Sequence, residues 1–120
     1  MKRILVVEDT EDNRRIIRDL LTSVGYEMIE ALDGAAGVAM AAEHKPDLIL
    51  MDMQLPVLDG YEATRRIKAD PALAHIPVIA VTSYALSGDE AKTKAAGCNA
   101  YVAKPFSPRQ LLAKVREFLG

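Results

Sequence analysis

The stretch Asp47-Leu48-Ile49-Leu50-Met51-Asp52-Met53-Gln54-Leu55-Pro56 decides the fold. Its first half is a nearly unbroken apolar run that ends on a carboxylate. A strand with one wet face alternates apolar and polar residues. One covered on both faces stays apolar, as in a parallel sheet lined by helices. Ile4-Leu5-Val6-Val7 and Val78-Ile79-Ala80-Val81 read the same way. Together with Glu27–Ala31 and Ala100–Ala103, the runs Ile4–Val7, Asp47–Met51 and Val78–Val81 make five predicted strands.

Amphipathic stretches separate them. In Asp12–Val24, the residues Ile16, Ile17, Leu20, Leu21 and Val24 form a stripe, and Arg14, Arg15 and Arg18 are expected on a solvated face. Gly25 stops this helix. Ala35–Ala42 predicts a short helix after the Asp33-Gly34 turn, and Tyr61–Lys68 a third after Asp59-Gly60. Ser87-Gly88-Asp89-Glu90 has capping-box spacing and opens a fourth helix ending near Gly97, whose apolar content is little more than Ala91, Ala95 and Ala96. Ser107-Pro108 reads as an N-cap and first-turn proline, followed by the stripe Leu111, Leu112, Val115, Phe118 and Leu119. Strict alternation of strand and helix implies right-handed crossovers and a doubly wound α/β sheet with helices on both faces.

The 120 residues fit one domain, taken as 1–120. Half of them are apolar, enough for a core. No apolar run approaches the roughly 20 residues of a membrane span, and the N-terminus lacks a signal peptide's apolar region. A single cysteine, Cys98, excludes an intramolecular disulfide framework. A formal charge of −2 and the absence of a Lys/Arg block argue against nucleic acid as a partner. The expectation is a cytoplasmic protein that binds neither nucleic acid nor membrane. His44 and His75 are expected in loops, with no ligand spacing.

Polar residues gather where the apolar strands end. The first strand meets Glu8-Asp9, the third Asp52, the fourth Thr82-Ser83 and the fifth Lys104-Pro105. Ligands of open α/β sheets bind beyond these carboxyl ends, where strand order reverses. With the order 2-1-3-4-5, Asp9 and Asp52 face each other across that crevice. Carboxylates so close repel one another, and a hard divalent cation with oxygen ligands removes the difficulty. A carboxylate nucleophile, a cation, the Lys104 ammonium and the Thr82 hydroxyl together suit phosphoryl transfer. Lys104-Pro105 is a candidate cis peptide that would fix the lysine's direction.

In order and spacing, Glu8-Asp9, Leu50-Met51-Asp52-Met53-Gln54-Leu55-Pro56, Asp59-Gly60, Thr82 and Lys104-Pro105 resemble the response-regulator receiver family from Lys2 to Leu119. The resemblance implies a flavodoxin-like (βα)5 fold and a Mg²⁺-dependent reaction, with Mn²⁺ as the alternative ion. It implies Asp52 as phosphoacceptor, and Asp9, Asp52 and the Gln54 backbone carbonyl as metal ligands. Glu8 would act through water. Thr82 and Lys104 would grip the phosphoryl oxygens, and Tyr101 would be the aromatic switch that turns inward as Thr82 moves. Leu73-Ala74-His75-Ile76-Pro77-Val78-Ile79-Ala80-Val81-Thr82 and Gly88-Asp89-Glu90 look most like single-domain cell-division regulators of alphaproteobacteria. The stretch from Met51 through Thr64 also resembles receivers fused to hybrid histidine kinases. Either relationship implies a histidine kinase or histidine phosphotransfer protein as donor and a protein as target. The regulator would be a monomer or a phosphorylation-dependent dimer.

The rival from another class is a metal-dependent phosphatase with an aspartyl-phosphate intermediate. Such enzymes usually carry a second acid two residues after the nucleophile, where this chain has Gln54. A flavodoxin-like cofactor binder would want Ser, Thr and Gly after the first strand, not Glu8-Asp9-Thr10-Glu11-Asp12. A receiver that acts without phosphorylation would typically have lost an acid, the Thr or the Lys. This sequence keeps them all.

Overall fold

The computed structural model describes residues 1–83 and 89–120. Within them, strands and helices alternate as β1 (Arg3–Val7), α1 (Glu11–Ser23), β2 (Glu27–Ala31), α2 (Gly34–His44), β3 (Leu48–Asp52), α3 (Gly60–Ala69), β4 (Val78–Thr82), α4 (Asp89–Ala96), β5 (Ala100–Ala103) and α5 (Pro108–Leu119). All the strands are parallel, in the order β2-β1-β3-β4-β5.

Alternation along each strand divides the core in two. Leu5, Val7, Ile49, Met51, Val78 and Ala80 face one way, against Ala41 of α2 and Ala63 and Ile67 of α3. Ile4, Val6, Leu48, Leu50, Ile79 and Val81 face the other, against Ile17 and Leu21 of α1 and Leu111 and Val115 of α5. Each fully buried Ile or Leu contributes about 1.5–3 kcal/mol of transfer free energy. These layers fix where every strand ends, and so where the site lies.

Caps set the helix starts. The side chains of Asp33, Asp59 and Ser107 accept from the amides of Ala36, Glu62 and Gln110 at 2.7, 2.9 and 3.0 Å. Gly25, at φ +89°, ends the turn after α1 in a left-handed conformation that favours glycine. Ser87 and Gly88, the start of the capping box expected for α4, lie outside the described residues.

Several side chains face differently from expectation. Ile16 and Val24 are 47% and 37% exposed, whereas Arg14 is buried beside Ile17 and Leu21. Arg14, Ile17 and Leu21 stand at i, i+3 and i+7 on one helical face, and Ile16 lies a step of about 100° away. In α4, Ala91 and Ala95 are exposed, and Thr93 shares the buried face with Ala96. Thr93 tolerates this because its hydroxyl donates to the Glu90 carbonyl at 2.8 Å. Phe118 sits at the margin of the α5 stripe, 36% exposed. His44 belongs to the last turn of α2 rather than to a loop.

Candidate functional site

The two neighbours β1 and β3 pair Val7 with Met51, and their connections leave in opposite directions across the sheet. The crevice this creates opens beyond their carboxyl ends. Glu8 follows β1 directly, and Asp52 is the final residue of β3. Thr82 ends β4 opposite Ala103, so Lys104 emerges beside it, its amide donating to the Thr82 carbonyl at 2.7 Å. The Lys104–Pro105 peptide is cis.

Lys104 Nζ donates to Glu8 Oε1 at 2.8 Å and to Asp52 Oδ2 at 3.0 Å. Both acids are buried, 2% and 4% exposed. Burial alone would lower the lysine's pKa, but hydrogen bonds to Glu8 and Asp52 and their charges outweigh it and hold the pKa above the ordinary lysine value. The remaining oxygens are also held. Asp52 Oδ1 accepts from the Gln54 amide at 3.0 Å, and Glu8 Oε2 from the Thr10 amide at 3.1 Å. Asp52 is thus a buried carboxylate gripped on both oxygens.

Asp9 is exposed, yet Glu8, Asp9 and Asp52 each offer a carboxylate oxygen within 4.8 Å of the others. One ammonium balances only one of these three acids. A set of hard oxygen donors with surplus negative charge fits a divalent cation of the Mg²⁺ type.

The fold therefore brings Glu8, Asp9, Asp52 and Lys104 together, with buried Thr82 at their side. Gln54 is exposed and adjoins Asp52 through its amide. Tyr101 stands apart. It pairs with Ala80 two residues before Ala103, half-buried against the apolar layer of Leu5 and Ile49.

Arg14 belongs to the neighbourhood of the site, contrary to the expectation of a solvated face. Its Nη1 donates to the Glu8 carbonyl at 2.8 Å, and it pairs with Glu11 at 2.6 Å and Glu30 at 3.3 Å. Its helical spacing with Ile17 and Leu21 was the signal. Val57, between Asp52 and α3, has φ +69° and is 82% exposed.

The sequence matches the response regulator receiver domain family over residues 4–116. The chain belongs to the response-regulator receiver family. It is 45% identical to the polar-differentiation response regulator DivK of Brucella anthropi over 99% of this chain and 97% of that protein. It is also similar to the receiver domain of the sensor histidine kinase PA1611 of Pseudomonas aeruginosa, at 42% identity and a TM-score of 0.92, covering 99% and 98% of the two chains. That receiver was solved with a magnesium ion coordinated in its active-site cleft. The chemotaxis protein CheY4 of Vibrio cholerae superposes with the same TM-score at 27% identity, covering 98% of each chain. The chain shares the receiver architecture of all three proteins and, like DivK, is a response regulator. None of its described helices is long and apolar enough to cross a membrane.

Proposed function

We propose that Asp52 accepts a phosphoryl group from a phosphohistidine on a histidine kinase or phosphotransfer protein, and that the resulting acyl phosphate switches binding to a downstream protein. The observation that carries this is the buried Asp52 carboxylate, held on one oxygen by Lys104 and on the other by the Gln54 amide, beside two further acids. A carboxylate oxygen of Asp52 attacks phosphorus in line with the P–N bond. That bond breaks, the imidazole leaves with its electron pair and takes up a proton, and an acyl phosphate remains. Glu8 (through water), Asp9, Asp52 and the Gln54 carbonyl would hold Mg²⁺, or Mn²⁺ in its place, which when bound supplies charge neutralisation for the acids and the phosphoryl oxygens.

Lys104 follows the negative charge from the Asp52 oxygen to a phosphoryl oxygen, and the Thr82 hydroxyl donates to another. Tyr101 takes the space that Thr82 leaves. The two states must differ by a few kcal/mol for the shift to be read. Water finally attacks phosphorus, breaking the bond to Asp52 and releasing phosphate. The protein therefore acts on itself and turns over no metabolite. It works in the cytoplasm through the receiver domain 1–120, which reads out to a protein rather than to nucleic acid. Gln54, an amide where an aspartyl-phosphate phosphatase usually has its acid, weighs against the enzymatic reading.

Incubation with Mg²⁺ and acetyl phosphate followed by intact-mass measurement tests this. Wild type should gain one phosphoryl group and Asp52→Asn none. An unmodified wild type would refute the proposal, and rapid release of phosphate without an adduct would favour a phosphatase.

A further inference from the structure

We propose that Arg14 is a positioning residue for the acidic turn: it anchors Glu8 and Asp9 to β2, so that they meet a divalent cation together with Asp52. The inference rests on reading that cluster as a cation and phosphoryl site. Arg14 is 8% exposed, and each of its guanidinium nitrogens reaches a partner on a different segment. Nη1 donates to the Glu8 carbonyl at 2.8 Å, Nη2 pairs with Glu11 at 2.6 Å, and Nε faces Glu30 of β2 at 3.3 Å. Glu30 is itself held by Arg18, one turn further along α1, whose Nε and Nη2 donate to its two oxygens at 3.0 and 2.6 Å.

The same turn is tied to β2 once more, where the Glu8 amide donates to the Ala31 carbonyl at 3.1 Å. Glu8 is thus held by both its N–H and its C=O. Only the second link runs through side chains, and a rigid planar fork is what can serve three acceptors at once. Groups that orient metal ligands without touching the ion typically matter 10–100-fold for affinity.

Charge and position predict opposite signs here, which makes the idea testable. A positive charge near the acids weakens cation binding, so if Arg14 acted by charge alone, Arg14→Met would bind Mg²⁺ more tightly. Acting by position, it should do the reverse. Calorimetric Mg²⁺ titration of the folded proteins should show about tenfold weaker binding for Arg14→Met. Arg14→Lys, which keeps the charge but loses the fork, should also weaken it. Glu30→Gln should weaken binding by about threefold, a fraction of the usual effect of such supporting groups. Hydrogen exchange of the Thr10 amide in the metal-free protein should quicken in each variant. Unchanged or tighter Mg²⁺ binding by Arg14→Met would overturn the proposal. If that variant fails to fold, unchanged binding by Glu30→Gln overturns it equally. A wild type that binds no Mg²⁺ would instead refute the site reading, and this inference with it.

Discussion

Two half-buried lysines stand at opposite ends of the sheet, and their surroundings push them opposite ways. Lys104, at the carboxyl ends of the strands, meets two buried carboxylates, and its pKa is raised. Lys68, at the other end, donates to the carbonyls of Ala74 and Ile76 at 3.1 and 2.7 Å and to Asn99 Oδ1 at 3.0 Å. Its acceptors are neutral, so desolvation dominates and its pKa falls, only partly offset by the charge of Cys98. One end of the molecule concentrates exchangeable charge. The other uses a cation to tie α3 to the loops before β4 and β5. The fold thus separates chemistry from structural support by about the length of a strand, roughly 17 Å.

The largest expected effect follows from removing the ammonium at the acidic end. Lys104→Met leaves Glu8 and Asp52 buried and unbalanced, and should cost about 3 kcal/mol in metal-free urea unfolding. Added Mg²⁺ should recover more stability in this variant than in wild type. Equal recovery would mean that Lys104 does not balance the acids.

Lys68→Met should cost less, about 1–2 kcal/mol, because it leaves only neutral acceptors unpaired. Phosphoryl uptake should be unchanged. Reduced uptake would erase the distinction between the two ends.

The pH dependence sharpens the contrast. With its pKa raised, Lys104 contributes fully below the ordinary lysine pKa, and the contribution is lost only as pH rises through the higher folded value. The gap between wild type and Lys104→Met should therefore stay flat from pH 7 into the alkaline range. Lys68 loses its proton earlier in the folded than in the unfolded protein. Between its depressed pKa and the ordinary value, the unfolded chain binds more protons, so the gap between wild type and Lys68→Met should widen with pH.

The smallest effect concerns the backbone. Val57 is a β-branched residue at φ +69°, spanned by a hydrogen bond from the Leu58 amide to the Pro56 carbonyl at 2.7 Å, a strained tight turn beside the site. Lys45, at φ 44°, sits in the ordinary C-cap of α2. Val57→Asn should raise stability by about 1 kcal/mol. Lys45→Asn should change it by only a few tenths.

The parallel sheet was legible because a doubly buried strand announces itself in consecutive apolar residues, as Leu48–Met51 does, whereas its order followed from the resemblance to the receiver family. The acidic crevice was legible because Glu8, Asp52, Thr82 and Lys104 each end or follow such a run. Arg14 was hidden by its charge. Read by type it joins Arg15 and Arg18, yet read by angle it joins Ile17 and Leu21, and its burial depends on Glu30, a residue sixteen positions away on another element. Thr93 was hidden in the same way behind the alanines of α4. The left-handed Val57 has no sequence signal, since the residue that usually marks that conformation is glycine.

The central claim is chemical: one carboxylate, Asp52, carries the phosphoryl group. Borohydride reduction of the phosphorylated protein converts an aspartyl phosphate to homoserine, which peptide mass mapping then locates. The account predicts homoserine at position 52 and nowhere else. Homoserine at Asp9 or another aspartate, or the five-carbon hydroxy amino acid that a reduced glutamyl phosphate gives, with residue 52 still aspartate, would contradict it.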